Sequence, residues 1–248
     1  NENDLMLKRQ GHEGAIVLWE NVEGVLRDKT NAFGSLISAL VGFDETLKST
    51  RWPSAGFIEG PRRNLAWRVL DSKYFGLPQQ RRRLYLVAGN KLFRPENVLF
   101  EKSQLRHEAP ALKGKLNFTK NGSDFYTFRV YTDCLYSAYG TKWNGNAAAY
   151  NGSLFLVQDG RLRRFSPLEC ERLMGFPDNY TDLEGSRRTN RYKALGNSWS
   201  VPVIKWIGER FADGYAHDSI LQNSSVDDKF FFLGRKASQD LSLFSSEH

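Results

Sequence analysis

Three consecutive arginines, Arg81, Arg82 and Arg83, follow the turn Gly76-Leu77-Pro78-Gln79-Gln80 and lead into the apolar run Leu84-Tyr85-Leu86-Val87-Ala88. Pinned between a proline and a strand-like run, their guanidinium groups are expected at one edge of a sheet. Planar, permanently charged forks held in place suit phosphate oxygens and the acceptor edge of a base. The same composition also suits an arginine-rich surface turn, and this stretch alone does not separate the two. Two other places carry usable groups. Glu20 and Asn21 close the apolar run Ala15 to Trp19, and Gly196-Asn197-Ser198 precedes a helical pattern, where backbone N–H groups, an amide and a hydroxyl could receive a carboxylate or phosphate. The two cysteines, Cys134 and Cys170, are too few for a disulfide framework or a four-ligand zinc site, and no metal site is expected.

The elements that must position these groups can be read from periodicity. Ala15 to Trp19 reads as a strand buried on both faces, with Glu20-Asn21-Val22 just past its carboxyl end, where open α/β sheets bind ligands. Phe33, Leu36, Ile37, Leu40 and Val41 share one helical face after a possible cap at Thr30 or Asn31, and Gly42 stops the helix. Strands over Ala66–Leu70 and Leu84–Ala88 complete what reads as part of a doubly wound sheet. From about Gly89 to Gly160 the long helical patterns cease. Asp124–Tyr131 and Ser153–Gln158 look like strands, and the loop between them carries Tyr136, Tyr139, Trp143 and Tyr150. Those aromatic residues could stack on bases or form a small core under long loops. Helix returns within Arg161–Asp178: Ser166-Pro167-Leu168-Glu169 is a capping box, Cys170, Leu173 and Met174 form the apolar stripe, and Gly175 and Pro177 end it. A cysteine on such a stripe is a packing residue. Ser200 can cap a further helix with Pro202 in its first turn. Beyond Ala216 the chain is polar around Phe230-Phe231-Phe232-Leu233, to which no role is assigned.

The 248 residues carry a net charge of +7, concentrated between Pro61 and Arg94, where nine Lys or Arg face one acid. A phosphate-rich partner is the expected reason. No apolar run approaches the ~20 residues that span a bilayer, so no membrane partner is expected. With no secretory leader evident and two cysteines, the expected location is the cytoplasm. The first residue, Asn1, suggests that the sequence does not begin at a natural start.

Four stretches occur in a fixed order: W-E-N-V at 19–22, G-L-P-Q-Q-R-R-R at 76–83, R-R-F-S-P-L-E-C-E-R-L-M-G-F-P-D at 163–178 and Y-K-A-L-G-N-S at 192–198. Together they resemble the second half of a DNA (cytosine-5)-methyltransferase, over roughly residues 15 to 212. The resemblance implies the C-terminal part of a doubly wound, Rossmann-like α/β sheet with a smaller, mainly β and loop target-recognition domain inserted. On this division residues 1–90 and 161–212 belong to the catalytic core, 91–160 form the recognition domain and 213–248 are a tail. It implies S-adenosylmethionine as methyl donor, duplex DNA as partner, a bacterial or phage source and a role in DNA modification. Cytosine carbon 5 becomes nucleophilic once a thiolate adds at carbon 6, helped by proton donation or hydrogen bonding at ring nitrogen 3; the resemblance gives that task to Glu20. It assigns catalytic roles also to Arg81, which would order the catalytic loop, and Arg83, which would hold the flipped cytosine. Asn21, Gln79 and Arg163 are assigned to the target base or DNA, and Asn197, Ser198 and Trp199 to the cofactor. Arg82 falls at the variable position of the Gln-x-Arg-x-Arg pattern.

The glycine-rich cofactor loop and the Pro-Cys pair that the family carries nearer the amino terminus do not occur in this sequence: Asp133 precedes Cys134 and Glu169 precedes Cys170. A mechanism whose first covalent step needs a thiolate cannot run without one. The chain is therefore expected to be inert by itself, its missing half belonging to the same or a separate polypeptide. The alternatives are a DNA-binding or regulatory protein derived from such an enzyme, or a basic α/β nucleotide-binding enzyme of another kind. Without its early strands the sheet is expected to leave a long edge open.

Overall fold

The computed structural model describes residues 2–11, 14–101, 116–120, 123–128, 131–140, 154–158, 161–216 and 231–233. Trp143 and Tyr150, expected among the loop aromatics, lie outside them. By Cα proximity the chain forms two compact units, one of residues 1–70, 83–105 and 207–248, the other of 71–82 and 106–206.

In the first unit, helix α1 (Glu2–Arg9) precedes strand β1 (Val17–Val22), helix α2 (Ala32–Val41), strands β2 (Ala55–Glu59), β3 (Asn64–Asp71) and β4 (Arg82–Gly89), and the short helix α3 (Pro95–Leu99). The sheet runs β1-β4-β3-β2-β9, where β9 is Phe231–Leu233, and it is mixed: β1 pairs antiparallel with β4, β2 antiparallel with β3, and β9 parallel with β2. Three expectations change here. Glu20, Asn21 and Val22 are inside β1, not past its end, and β1 is half-buried along most of its length because its one strand neighbour among the described residues is β4. The apolar patch near the C-terminus supplies a sheet strand. Finally, Asn31 precedes α2 without capping it: its side chain instead donates to the Leu47 carbonyl and accepts from the Trp52 indole.

Period-two alternation explains which face is buried. Val17, Trp19, Leu84, Leu86 and Ala88 join Phe33, Ile37 and Val41 of α2 in one core, where the Phe33 ring lies within 6.3 Å of the rings of Trp19, Trp52 and Trp67. Burying such large side chains contributes on the order of 2–3 kcal/mol each. Their register therefore turns Leu18, Glu20, Arg83, Tyr85 and Val87 to the other face.

The second unit contains the hairpins β5 (Leu116–Lys120) with β6 (Ser123–Phe128) and β7 (Phe155–Gln158) with β8 (Arg161–Arg164), then helices α4 (Pro167–Met174) and α5 (Arg188–Asn197) and most of α6 (Val201–Glu209). Residues 161–164, expected at the start of helical structure, are a strand because Arg-Leu-Arg-Arg pairs antiparallel with Phe-Leu-Val-Gln of β7. The helix begins where its capping box does: Ser166 Oγ accepts the Glu169 N–H, Glu169 Oε2 accepts the Ser166 N–H, and Pro167 stands in the first turn. Gly175 ends it at φ 80°, a left-handed conformation costly for a residue with a Cβ. Cys170, Leu173, Met174, Tyr192 and Leu195 are buried together. Tyr139 joins them, its hydroxyl donating to the Leu154 carbonyl and accepting the Phe165 N–H. For this aromatic residue, packing is the role; Tyr136 remains exposed.

Candidate active site

Within the first unit the register of β1 and β4 decides the site. Val22 stands opposite Arg83 and Glu20 opposite Tyr85, so Glu20 and Arg83 are diagonal neighbours on one face. Arg83 Nε lies 3.1 Å from Glu20 Oε1, with both side chains about 85% withdrawn from solvent. A carboxylate held against a guanidinium, both largely withdrawn from solvent, is a charge-assisted pair that places an acceptor beside a fixed cation. Asn21 points to the opposite face, its Oδ1 accepting the adjacent Val22 N–H. The structure does not bring it together with Glu20.

In the second unit the Gln79 and Arg81 side chains are buried and bind protein backbone. Gln79 Nε2 donates to the Leu173 carbonyl at 2.9 Å and its Oε1 accepts the Leu135 N–H. Backbone bonds from Gln80 to Thr132 and from Thr132 to Pro78 extend this tie. Arg81 Nη1 donates to the Leu135 carbonyl (2.9 Å) and lies 3.0 Å from Cys134 Sγ, while Nη2 reaches the carbonyls of Ser198 (2.8 Å) and Gly196 (3.3 Å). Its own N–H donates to Asp71 Oδ1. The Gln79 side chain is thus an internal tie where a DNA contact was expected, and the Arg81 side chain joins the end of α5 to the 134–135 segment.

Asn197, Ser198 and Trp199 follow one another where α5 ends and α6 begins. Asn197 is the last residue of α5, so the segment offers a helix C-terminus and not the expected run of N–H donors. Asn197 and Trp199 are exposed, the latter by 40%, while Ser198 Oγ donates back to the Leu195 carbonyl. Ser200 pairs its hydroxyl with that of Ser72 at 2.6 Å, both buried. The Asn197 amide and the Trp199 indole are thus the exposed side chains of this segment.

Arg163 is committed elsewhere: it forks onto both oxygens of Glu169 at 2.8 Å and donates to Gln158 Oε1. That fork first, and the Ser166 hydrogen bonds, hold the Glu169 carboxyl down at about 2 against partial burial. Cys170 is fully buried, and burial pushes its thiol up to about 12, so it is no nucleophile. The sequence reading missed Glu171. Burial works to raise its carboxyl, but donors from Thr181, Arg191 and the Asn179 N–H outweigh burial and hold it low. Its signal was an acid on the apolar side of α4 followed by a polar loop. No group of three or more potential metal ligands occurs among the described residues.

The sequence profile of the C-5 cytosine-specific DNA methylases matches residues 10–153 and 121–213. The chain belongs to that family. Among curated proteins it is 26% identical to the DNA N-6-adenine-methyltransferase of Escherichia phage P1, covering 79% of this chain and 45% of that protein. It is 30% identical to the Type II methyltransferase M2.BsuMI of Bacillus subtilis, over 59% of this chain and 40% of the relative. The chain thus spans less than half the length of these methylases. Among solved structures, the Entamoeba histolytica methyltransferase EhMeth superposes with a TM-score of 0.52 at 18% identity, over 86% of this chain and 68% of the other. The two share the methyltransferase α/β fold.

Proposed function

We propose that this chain is the C-terminal portion of a DNA (cytosine-5)-methyltransferase, acting in the cytoplasm on cytosines swung out of duplex DNA as part of a restriction-modification system. The observation that carries the proposal is the diagonal Glu20–Arg83 pair, two of the three expected catalytic residues meeting from strands sixty positions apart in sequence. In this reading Glu20 shares a proton with ring nitrogen 3 of the cytosine. Arg83, beside it, binds the carbonyl oxygen of the cytosine or an adjacent phosphate and offsets part of the unstacking cost of a few kcal/mol. Arg81 acts through the backbone it ties. The methyl donor, S-adenosylmethionine, supplies an electrophilic methyl carbon when bound, and Asn197 and Trp199 would hold its amino-acid side. The thiolate that adds to carbon 6 and later leaves comes from outside this chain, in a segment of the same or a separate polypeptide; alone, the chain is inactive. The insert around residues 91–160 is read as the target-recognition domain.

The experiment joins this chain, in cis or by mixing, to a segment bearing the glycine-rich loop and the Pro-Cys pair. Methyl transfer from labelled S-adenosylmethionine to duplex DNA is measured, and mass spectrometry identifies the product base. 5-Methylcytosine is expected; N6-methyladenine, the base in the phage relative's name, would overturn the assignment. Glu20→Gln or Arg83→Ala is expected to lower the rate by about 10²–10⁴-fold. Undiminished transfer in both would remove their roles.

A further inference from the structure

The cations concentrated between Pro61 and Arg94 do not all go to the Glu20 site. Arg83 sits where β4 starts and β1 ends. Arg62, Arg63 and Lys91 lie at the other end of the sheet, where β1 begins, β2 turns into β3 and β4 stops. There they join Lys8 of α1 around a cavity of about 460 Å³, whose lining among the described residues has four cationic side chains and no acidic one.

The cavity is built by cross-ties. Arg63 Nη1 donates to the Ala15 carbonyl at 2.6 Å, and Lys91 Nζ donates to the Gly60 carbonyl at 2.6 Å and to Asn64 Oδ1 at 3.2 Å. Asn64 Nδ2 returns to the carbonyls of Lys91 and Phe93, so the 60–64 turn and the 90–93 turn hold each other. The Gly60 N–H to Arg63 carbonyl and Arg62 N–H to Val41 carbonyl bonds close the first turn, and the Arg62 stem lies over Gly42. Arg63 is 8% exposed. Arg63 and Lys91 are thus held in place before any ligand arrives, which lowers the ordering cost of binding.

We propose that this cavity is a second anion site, binding a phosphate group separately from the Glu20–Arg83 cleft. Guanidinium- and ammonium-bearing side chains around a hollow of ligand size match the charge and the several acceptor oxygens of a phosphate. The cavity lies at the start of β1 and Arg83 stands opposite Val22 at its end, five strand positions or about 17 Å from Val17, so no single phosphate serves both places. The phosphate belongs either to the backbone of bound duplex DNA, which extends the functional reading above, or to a free phosphate compound.

The test uses the full chain and the double variant Arg62→Gln/Lys8→Gln, both at exposed positions, with the stem over Gly42 retained. Pyrophosphate is expected to raise the melting temperature of the parent and to have less effect on the variant. Anisotropy with a labelled duplex across a salt series is expected to show a slope smaller by about one for each removed cation that touches a backbone phosphate. A change in slope identifies DNA as the source, and a change in the pyrophosphate response alone identifies a free phosphate compound. Equal pyrophosphate response and equal slope in parent and variant overturn the proposal. Arg83→Ala should leave the pyrophosphate response intact, so failure of the methyltransferase reading and failure of this one are told apart.

Discussion

At the scale of single residues, the acids of α4 show how a charge partner and burial compete. Glu169, held near 2 by the Arg163 fork, contributes stability that is fully present above its ordinary value of 4.5 and is lost as pH falls from there through about 2. Urea unfolding between pH 6 and 2.5 should show this acid limb, and Glu169→Gln should flatten it; an unchanged limb would mean that the fork does not persist in solution. Glu171 is more exacting because it is fully buried and gathers several donors. Glu171→Gln turns an acceptor toward donors as a donor, and should cost about 3 kcal/mol in denaturant unfolding. For Cys170, the raised thiol and complete burial predict no reaction with a disulfide reagent at pH 8 until the chain unfolds. Peptide mapping that finds the adduct on Cys170 of the folded chain would contradict the packing of α4.

The second scale is that of elements, where close approach matters more than charge. α5 lies against the 3-10 turn Ser137–Gly140, and a Cβ on Gly196 would collide with backbone atoms of Tyr136 and Ser137, which cannot rotate away. Gly196→Ala should therefore destabilise the second unit by about 1–3 kcal/mol. Gly24→Ala, with open space around it, should be close to neutral. Comparable melting temperatures for the two variants would refute the contact. The same segment explains why Arg81 is buried: its guanidinium joins the carbonyls of Gly196 and Ser198, at the end of α5, to that of Leu135, far from it in sequence. A buried arginine used in this way fixes the backbone on either side of Asn197.

At the scale of the whole molecule, the net charge of +7 and the nine Lys or Arg between Pro61 and Arg94 predict duplex binding whose logarithmic affinity falls linearly with the logarithm of salt concentration. Binding that is insensitive to salt would exclude phosphate contacts as its main source. The edge position of β1 among the described strands belongs to this scale too. Its strand is apolar yet half-buried, with one strand neighbour among the described residues, in a chain that spans less than half of its curated relatives.

Local patterns were legible wherever the cause lay within a few positions. The capping box at Ser166, the stripe of α2 and the strands on either side of the 76–81 turn follow from periodicity and from side chains that satisfy their own backbone, and the ordered motifs pointed to the family that the profile match shows. Placement across the sheet was not legible. One residue of strand register puts Glu20 with Arg83 and sends Asn21 to the other face; nothing in either strand alone states which residue of β4 stands opposite Val22. Likewise Gln79, Arg81 and Arg163 have the composition of nucleic-acid contacts, and only the fold determines that backbone carbonyls and Glu169 reach them first. Sequence by itself determined which residue types were present and in what order; tertiary structure decided which of them meet, because contacts between distant segments depend on register and burial that no local spacing encodes.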